Sequence, residues 1–187
     1  MKKILLFVAL CGLVAGTALA EKADSYKQIV IDSDSVDMDD VKQLTILTGN
    51  VVLTRGTLVM KAGKATVRKD AEDYEIVGFT AAPGEVATFR QKRDGGDLWI
   101  EGQAERIEYD NKTEVVKLFS KAKVAQLEGK KVTEEIVGEF VSYDSRKEFF
   151  KAANSATGES KPGGGRVRTV LDRSAKRAPP APATPGQ

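Results

Sequence analysis

Residues 44–70 alternate apolar and polar side chains with a period of two and are interrupted at short intervals by glycine. Such alternation places every second side chain on the same face of a β-strand. Glycines at this spacing provide the turns, bulges or corners at which an extended ribbon folds back on itself. The pattern therefore predicts paired strands with one apolar face, and it constrains the rest of the chain to a repetitive β structure.

The end of this stretch recurs along the chain as an aliphatic residue followed three positions later by aspartate, with successive aspartates 31, 40 and 34 residues apart. A strand-rich repeat of roughly 30 to 40 residues predicts stacked supersecondary units. Turn-prone or polar residues follow each aspartate, whose side chain can accept hydrogen bonds from the next backbone amides. We therefore predict a structural rather than a catalytic role for Asp39, Asp70, Asp110 and Asp144.

Further alternating segments predict the remaining strands. Residues 26–39 predict a strand pair or one bent strand, and Gly102 predicts a corner between two strands. Pro83 is the single proline between residues 21 and 161, which suits paired strands because proline cannot donate to a ladder. No segment of ordinary helical length has a 3.6-residue period. The other strands are predicted at residues 74–79, 86–91, 98–100, 104–109, 115–119, 122–127, 132–137, 140–143, 148–152 and 166–171.

The two ends of the chain differ in composition from the strand-rich part. Residues 1–20 have a basic start, an apolar run and a small-residue end, which is typical of a secretory signal peptide cleaved after Ala20. The apolar run is shorter than the roughly 20 residues that a membrane-spanning helix needs. Residues 174–187 are basic and then rich in proline and alanine, which predicts a disordered tail. We therefore expect one domain over residues 21–173 of an exported protein.

The composition excludes several classes of site. The chain has no histidine, which excludes Ser-His-Asp catalysis and most zinc sites. The single cysteine lies in the predicted signal peptide, so the mature chain has neither a disulfide nor a thiol nucleophile. The acidic residues 32–40 lack the glycine and the glutamate of a calcium-binding EF-hand loop. Nothing resembles the basic face of a nucleic-acid-binding protein, and we predict a non-enzymatic protein without cofactor, metal or nucleic-acid partner.

Four short motifs occur in order along the chain, and together they resemble those of the LptA/OstA family of periplasmic lipopolysaccharide-transport proteins. The similarity covers nearly all of residues 26–173. One departure from the family pattern lies between residues 119 and 124, where the letters SKAK replace a second TGN box and leave the inward-facing register of residues 115–152 open. The motifs are Thr48-Gly49-Asn50-Val51, Ala87-Thr88-Phe89, Ile100-Glu101-Gly102 and the closing strand RVRTVL at residues 166–171.

The resemblance implies an all-β fold, namely a single-domain, open, V-shaped antiparallel β-jellyroll built from OstA-type repeats. Members of the family hold the acyl chains of lipopolysaccharide in an apolar interior, and they stack head to tail through edge strands. The resemblance thus implies a periplasmic carrier whose partners are the lipid A portion of lipopolysaccharide, further copies of itself, an inner-membrane lipopolysaccharide transporter subunit and an outer-membrane translocon. It also places Ile29 and Phe89 at lipid-facing positions.

A dry interior slot is physically motivated, because each lipid methylene group exposed to water costs about 0.8 kcal/mol. Alternation supplies the candidates for its lining, although periodicity does not distinguish a lined groove from a filled core. With the family resemblance we favour the groove. The candidate lipid-binding residues are Ile29, Ile31, Leu47, Val51, Leu53, Leu58, Met60, Val67, Phe89, Ile107, Tyr109, Leu118, Val124 and Val141.

The first predicted strand, around residues 29–31, and the last, at residues 167–171, are the expected free edges of the sheet. Head-to-tail pairing of such edges extends into a filament, because no contact closes it. Basic side chains are also candidates for lipid phosphates at the rim of the groove, with solvated strand faces as the commoner explanation. These basic residues are Lys61, Lys64, Arg68, Lys121 and Lys123.

Other classes of protein remain open at this stage. One is a structural periplasmic β-repeat protein that assembles without binding lipid. Another is a β-helical enzyme acting on polysaccharides through a pair of carboxylates, with candidates Glu101, Glu105 and Glu108.

Overall fold

The structure is a computed structural model that describes residues 23–172. The signal peptide expected at residues 1–20 and the tail expected at residues 174–187 lie outside the described residues. Within residues 23–172 the chain forms twelve β-strands, and no helix there has the length and apolar character needed to cross a membrane. The strands are β1 (Val30–Asp32), β2 (Ser35–Asp39), β3 (Leu44–Arg55), β4 (Leu58–Lys69), β5 (Glu75–Thr80), β6 (Ala87–Lys92), β7 (Leu98–Ala104), β8 (Arg106–Asp110), β9 (Val115–Glu128), β10 (Lys131–Asp144), β11 (Phe149–Ala153) and β12 (Arg168–Leu171).

The antiparallel ladder folds into two facing layers because the long strands β3, β4, β9 and β10 pair with different neighbours along their two halves. In sheet A the order is β2-β3-β4-β5-β8-β9-β10-β11. In sheet B it is β1-β3-β4-β6-β7-β9-β10-β12. This two-layer arrangement is the all-β antiparallel jellyroll that the resemblance implied, and the predicted fold class is confirmed.

The sides of the sandwich differ in how they are closed. Along one side, which we call the seam, the backbone passes repeatedly from one sheet into the other. Along the opposite side, the mouth, the loops after Asp39, Asp70, Asp110 and Asp144 of sheet A face the turns of sheet B. The remaining sides are two ends with free strand edges, β1 and β2 at one end and β11 and β12 at the other. The two layers therefore form a V that is covalently continuous only at the seam.

At the seam, two of the four long strands, β3 and β9, change sheets through left-handed backbone conformations. In β3 these are Gly49 and Asn50, with φ of 81° and 46°, in the TGN box. In β9 the same role falls to Ser120 and Lys121, with φ of 62° and 53°. Lys121 also forms an ion pair of 2.6 Å with Glu105, at the β7–β8 corner. The SKAK segment therefore keeps the bend of the family motif without its glycine, and the register of the second half follows that of the first.

The twelve strands form two similar units of six, β1–β6 and β7–β12. Each unit begins with two short strands, continues with a pair of long strands that change sheets, and ends with one short strand in each sheet. The units join where β5 pairs with β8 in sheet A and β6 pairs with β7 in sheet B. Each unit contains two of the four repeat aspartates, so one sequence repeat corresponds to about half of a six-strand unit.

The aspartates that begin the sheet A loops hold those loops by accepting hydrogen bonds from backbone amides, which confirms their predicted structural role. Each loop also has a residue of positive φ at or next to its end, at Gln43, Asp73, Glu114 or Glu148. The donors are the amides of Lys42 to Asp39 (3.0 Å), Glu72 and Tyr74 to Asp70 (2.8 and 3.0 Å), Lys112 and Thr113 to Asp110 (2.9 and 3.0 Å) and Lys147 to Asp144 (3.1 Å).

Some predicted strand boundaries were wrong. Residues 115–127 and 132–143, each predicted as two strands, form the single strands β9 and β10, because a bulge bends a strand without ending it. The predicted corner at Gly102 lies inside β7, and the chain turns at Glu105 instead. Gly102 lies beneath the ring of Phe89 on the neighbouring strand, where a Cβ atom would collide with the ring. Its lack of a side chain serves packing rather than a turn.

One hydrophobic cluster fills the space between the two sheets. A Cβ atom at Gly102 of sheet B would lie 3.0 Å from Cδ2 of Leu118 in sheet A, which shows how closely the layers approach. Because the buried residues come from both sheets, their burial is the main force that holds the layers together.

Mutation of Gly102 is expected to show how tightly the layers fit. Gly102→Ala should lower the free energy of unfolding by about 1 to 3 kcal/mol, because the Phe89 ring must move to accommodate the methyl group. Gly78→Ala in β5 is the matched control, since a Cβ there, apart from its chain neighbours, would come no nearer than 4.0 Å to another heavy atom, the Thr66 carbonyl oxygen. Urea denaturation measures both variants, and equal losses would contradict the packing role of Gly102.

The sheet A loops are also expected to link stability to pH. Burial opposes ionisation of Asp110, but hydrogen bonds from Thr113 and Lys112 outweigh it and hold its pKa below the ordinary value of 3.8. A carboxyl group whose pKa falls on folding stabilises the fold above its unfolded-state pKa and loses that contribution as the pH drops through its folded-state pKa. Asp110→Asn should therefore cost about 0.5 to 1 kcal/mol near neutral pH and progressively less below about pH 4.

Urea denaturation across this pH range measures the effect. Asp37→Asn, at an exposed position of β2, changes the same charge outside the loops and serves as the control. A cost for Asp110→Asn that did not depend on pH would contradict the role of its charged form.

Candidate functional site

All fourteen candidate interior residues belong to the central cluster or pack against it. Ile29, Ile31 and Val67 are partly buried at its margin. The alternation of the sequence therefore brings these side chains into one shared interior. The others are almost wholly buried: Leu47, Val51, Leu53, Leu58, Met60, Phe89, Ile107, Tyr109, Leu118, Val124 and Val141.

The sequence analysis missed several residues of the same interior. The alternation that identified their neighbours also marks these residues, since each lies two positions along its strand from another inward-facing residue. These residues include Val77, Phe79, Ile100, Val116 and Tyr143, which are at most 1% exposed.

The apolar lining continues to both ends of the sandwich. At the β1–β2 end, Ile31 pairs with Leu53 and Val36 pairs with Leu47, so all four share the inward side. Val36 is 53% exposed, because no further strand covers it. At the other end, Leu171 of β12 is 48% exposed. The interior is thus a layer of apolar side chains that runs from one free edge to the other.

At the mouth, polar side chains connect the sheets. Arg55, at the end of β3 in sheet B, is only 7% exposed. Its Nη1 donates to the hydroxyl oxygen of Tyr109 in sheet A at 2.6 Å and lies 3.7 Å from Oε1 of Glu114. Burial raises the pKa of the Tyr109 phenol although Arg55 acts in the opposite direction, so this hydroxyl stays neutral at physiological pH. Arg55 therefore connects the two sheets across the mouth, on the side nearer to β1.

Arg93 forms a second bridge across the mouth. It follows β6 in sheet B, and its Nη2 contacts Oε2 of Glu148, in the β10–β11 loop of sheet A, at 2.6 Å. Its Nη1 donates to Oε1 of Gln126 at 2.5 Å. A hollow of about 480 Å³ lies beside this bridge and is lined by Arg93, Gln126, Glu134 and Leu171, among others. We call the Arg55 and Arg93 contacts the mouth bridges.

The segment before β1 also closes part of the mouth. Asp24 is 5% exposed and accepts hydrogen bonds from the backbone amide of Thr57 at 2.9 Å and from its hydroxyl at 2.5 Å. Arg55 donates to the backbone carbonyl of Ser25. Sequence reasoning missed these contacts and the mouth bridges, because charged residues in loops carry no periodic signal.

The basic residues weighed as candidates for the groove rim lie instead on solvated strand faces or at the seam, which was the commoner explanation for them. Each occupies the strand face opposite to the buried residues or a seam position, because alternation that turns Met60 and Ala65 inward turns their neighbours outward. Lys121 pairs with Glu105, and Lys123 pairs with Glu135 at 2.6 Å. The residues concerned are Lys61, Lys64, Arg68, Lys121 and Lys123.

The structure offers no support for the polysaccharide-active enzyme. The fold is a jellyroll rather than a β-helix, and each candidate carboxylate is ion-paired: Glu101 with Arg90, Glu105 with Lys121, and Glu108 with Lys117 and Arg106. Among residues 23–172, no three or more cysteine, aspartate or glutamate side chains lie where they could hold a metal ion.

The comparisons with known proteins agree with this architecture. Residues 30–149 match the family described as "LptA/(LptD N-terminal domain) LPS transport protein". The lipopolysaccharide export system protein LptA of Haemophilus influenzae is 34% identical over 89% of this chain and 90% of its own length. LptA of Escherichia coli K12 is 28% identical over 82% of this chain and 76% of its own length.

Among solved structures, the crystal structure of LptH from Pseudomonas aeruginosa matches with a TM-score of 0.67 and 25% sequence identity. The match covers 80% of this chain and 98% of LptH, which is described as the LptA-homologous periplasmic component of the lipopolysaccharide transport device. Sequence and fold therefore lead to the same conclusion: this chain belongs to the LptA/LptD N-terminal domain family of lipopolysaccharide transport proteins.

Proposed function

We propose that this chain is a non-enzymatic periplasmic carrier that holds the acyl chains of lipopolysaccharide between its two sheets. The observation that supports this most is the apolar interior between the two sheets, which extends towards two free ends. Relatives named as lipopolysaccharide export proteins and the signal-peptide pattern of residues 1–20 support the same role and compartment.

Loading requires the two sheets to separate at the mouth, because side chains of the protein fill the interior when no lipid is present. The seam is covalently continuous, whereas the mouth is held by side-chain contacts, so the V opens by pivoting at the seam. Acyl chains that enter replace protein–protein apolar contacts with protein–lipid ones. The exposed apolar area, and hence the hydrophobic free energy, changes little in this exchange.

The free ends support head-to-tail assembly of the proposed carrier. Edge strands present unpaired backbone amides and carbonyls that another strand can join. The edges of β1 and β2 differ from those of β11 and β12, so a contact between them is heterologous and continues from copy to copy. In such a row the interior of one copy continues into the next, from an inner-membrane transporter subunit towards an outer-membrane translocon.

The alternative is a structural assembly protein that uses the same edges and binds no lipid. The dense packing of the interior favours it, because residues such as Leu53, Met60 and Ile107 are already wholly buried. The two functions differ in whether the interior ever contacts lipid.

Site-specific photocrosslinking distinguishes them. A photoreactive phenylalanine analogue at Phe89, on the inward side of β6, should crosslink to lipopolysaccharide in the periplasm, because acyl chains must pass this position. The same analogue at Phe149, whose side chain is 59% exposed on β11, serves as the matched aromatic control. Equal labelling at both positions, or none at Phe89, would favour the purely structural alternative.

Deletion of the β12 edge should abolish assembly. A variant without residues 166–173 should remain monomeric at concentrations at which the intact protein forms a series of oligomers, measured by sedimentation velocity. Deletion of residues 174–187, which leaves both ends intact, is the control. Oligomers that persist without residues 166–173 would show that the β12 edge does not carry the contact.

A further inference from the structure

The mouth bridges have an unusual arrangement for surface ion pairs. The Arg55 and Glu114 side chains are each 9% exposed, and that of Arg93 is 14% exposed. The other ion pairs of the described residues lie mainly on outer strand faces and loops. Guanidinium groups withdrawn from water in this way require acceptors, and here the facing sheet supplies them through Tyr109, Glu114 and Glu148.

The hydrogen bonding of these bridges is incomplete. Nε of Arg93 and Oε1 of Glu114 are buried and make no hydrogen bond. Buried polar atoms normally have a partner, so both atoms carry an energetic cost in this arrangement. Oε1 of Glu114 is 3.7 Å from Nη1 of Arg55, beyond hydrogen-bonding distance. Arg55 uses its other donors on Tyr109 and on the carbonyls of the segment before β1, and Glu114 also pairs with Arg146 at 3.3 Å. The donor left without an acceptor is therefore Nε of Arg93.

The position of the bridges matches that of a lipid head group. An amphiphile whose acyl chains lie between the sheets must leave its polar head at the mouth, since the seam is closed by backbone. The hollow of about 480 Å³ beside Arg93 is lined by this guanidinium, by the apolar side chains of Leu98 and Leu171, and by Lys131 with the carboxylates of Glu128, Glu134 and Asp172. Glu134 accepts a hydrogen bond from Gln126, and Asp172 pairs with Lys131. A planar guanidinium binds the oxygens of a phosphate through paired hydrogen bonds, and Nε of Arg93 is a free donor for such a pair.

We propose that Arg93 forms an anion subsite for phosphate groups on the lipid head, and that Glu148 occupies this subsite while the protein is empty. The inference rests on the proposed function, which brings the lipid to the mouth. A phosphate that binds Arg93 displaces Glu148 of sheet A, so binding of the head group breaks this bridge and favours opening of the mouth. Lipids without phosphate lack this means of opening the mouth.

The exchange makes opposite predictions for the two partners of one bridge. Glu148→Gln removes the competing charge and should strengthen binding of phosphorylated lipopolysaccharide about fivefold to tenfold. Arg93→Gln removes the guanidinium that binds the phosphate and should weaken binding of the same lipid about tenfold. Arg93→Lys keeps the charge but loses the paired donors, so its affinity should lie between those of the unmodified protein and Arg93→Gln. A purely structural bridge would shift both partners in the same direction.

The experiment compares the dissociation constants of the purified protein and its variants for lipopolysaccharide and for the same preparation after enzymatic dephosphorylation. Glu101→Gln, which breaks the Arg90–Glu101 ion pair on the outer face of sheet B, is the control and should change neither constant. Inorganic phosphate added as a competitor distinguishes a site for any phosphate from one that requires the lipid. Urea denaturation of each variant confirms that it is folded.

Opposite shifts at Glu148 and Arg93 that vanish with dephosphorylated lipid would support the subsite. Tight binding of both lipids that none of these substitutions alters would overturn the subsite and leave the carrier function intact. Failure of every folded protein, including the unmodified one, to bind either lipid would overturn the carrier function and the subsite with it.

Discussion

The architecture depends on strands that hydrogen-bond in both sheets. Because β3, β4, β9 and β10 each contribute one half to sheet A and the other half to sheet B, the layers cannot drift apart at the seam without breaking backbone ladders. At the mouth, by contrast, only side chains join them. The same sequence of strands thus makes one side of the sandwich a fixed hinge and leaves the opposite side dependent on a small number of polar contacts.

The forces that hold the two sheets together therefore differ between the interior and the mouth. Apolar burial acts throughout the interior and is indifferent to whether the apolar partner is a side chain or an acyl chain. The contacts of Arg55 and Arg93 are directional and specific for charge, and they lie where the apolar interior meets water. In the proposed carrier, acyl chains would replace interior side-chain contacts, while Arg93 would test the head group for phosphate at the mouth.

The sequence was sufficient to predict the strand-rich fold and most of the interior, because burial of one strand face leaves a period-two pattern that a single chain displays. Val51, Leu53 and Met60 could be placed inward on this basis alone. The pattern was insufficient where tertiary contacts decide the outcome. Gly102 looked like a corner because glycine permits turns, but its role is set by the Phe89 ring on another strand. Alternation was enough to favour solvated strand faces for the basic residues within strands, whereas the arginines at the mouth lie at a strand end and in a loop, where no periodicity marks them.

The division of the chain into two six-strand units has a consequence for how copies would meet. Inside one molecule, the last strands of the first unit, β5 and β6, already pair with the first strands of the second, β8 and β7. At the end of one copy, β11 and β12 correspond to β5 and β6. At the start of the next copy, β2 and β1 correspond to β8 and β7. A row of proposed carriers would then repeat the internal junction at every boundary. Along its axis such a row would have the periodicity of the half-molecule, so that a travelling lipid would meet the same local surroundings whether or not it had crossed from one polypeptide to another.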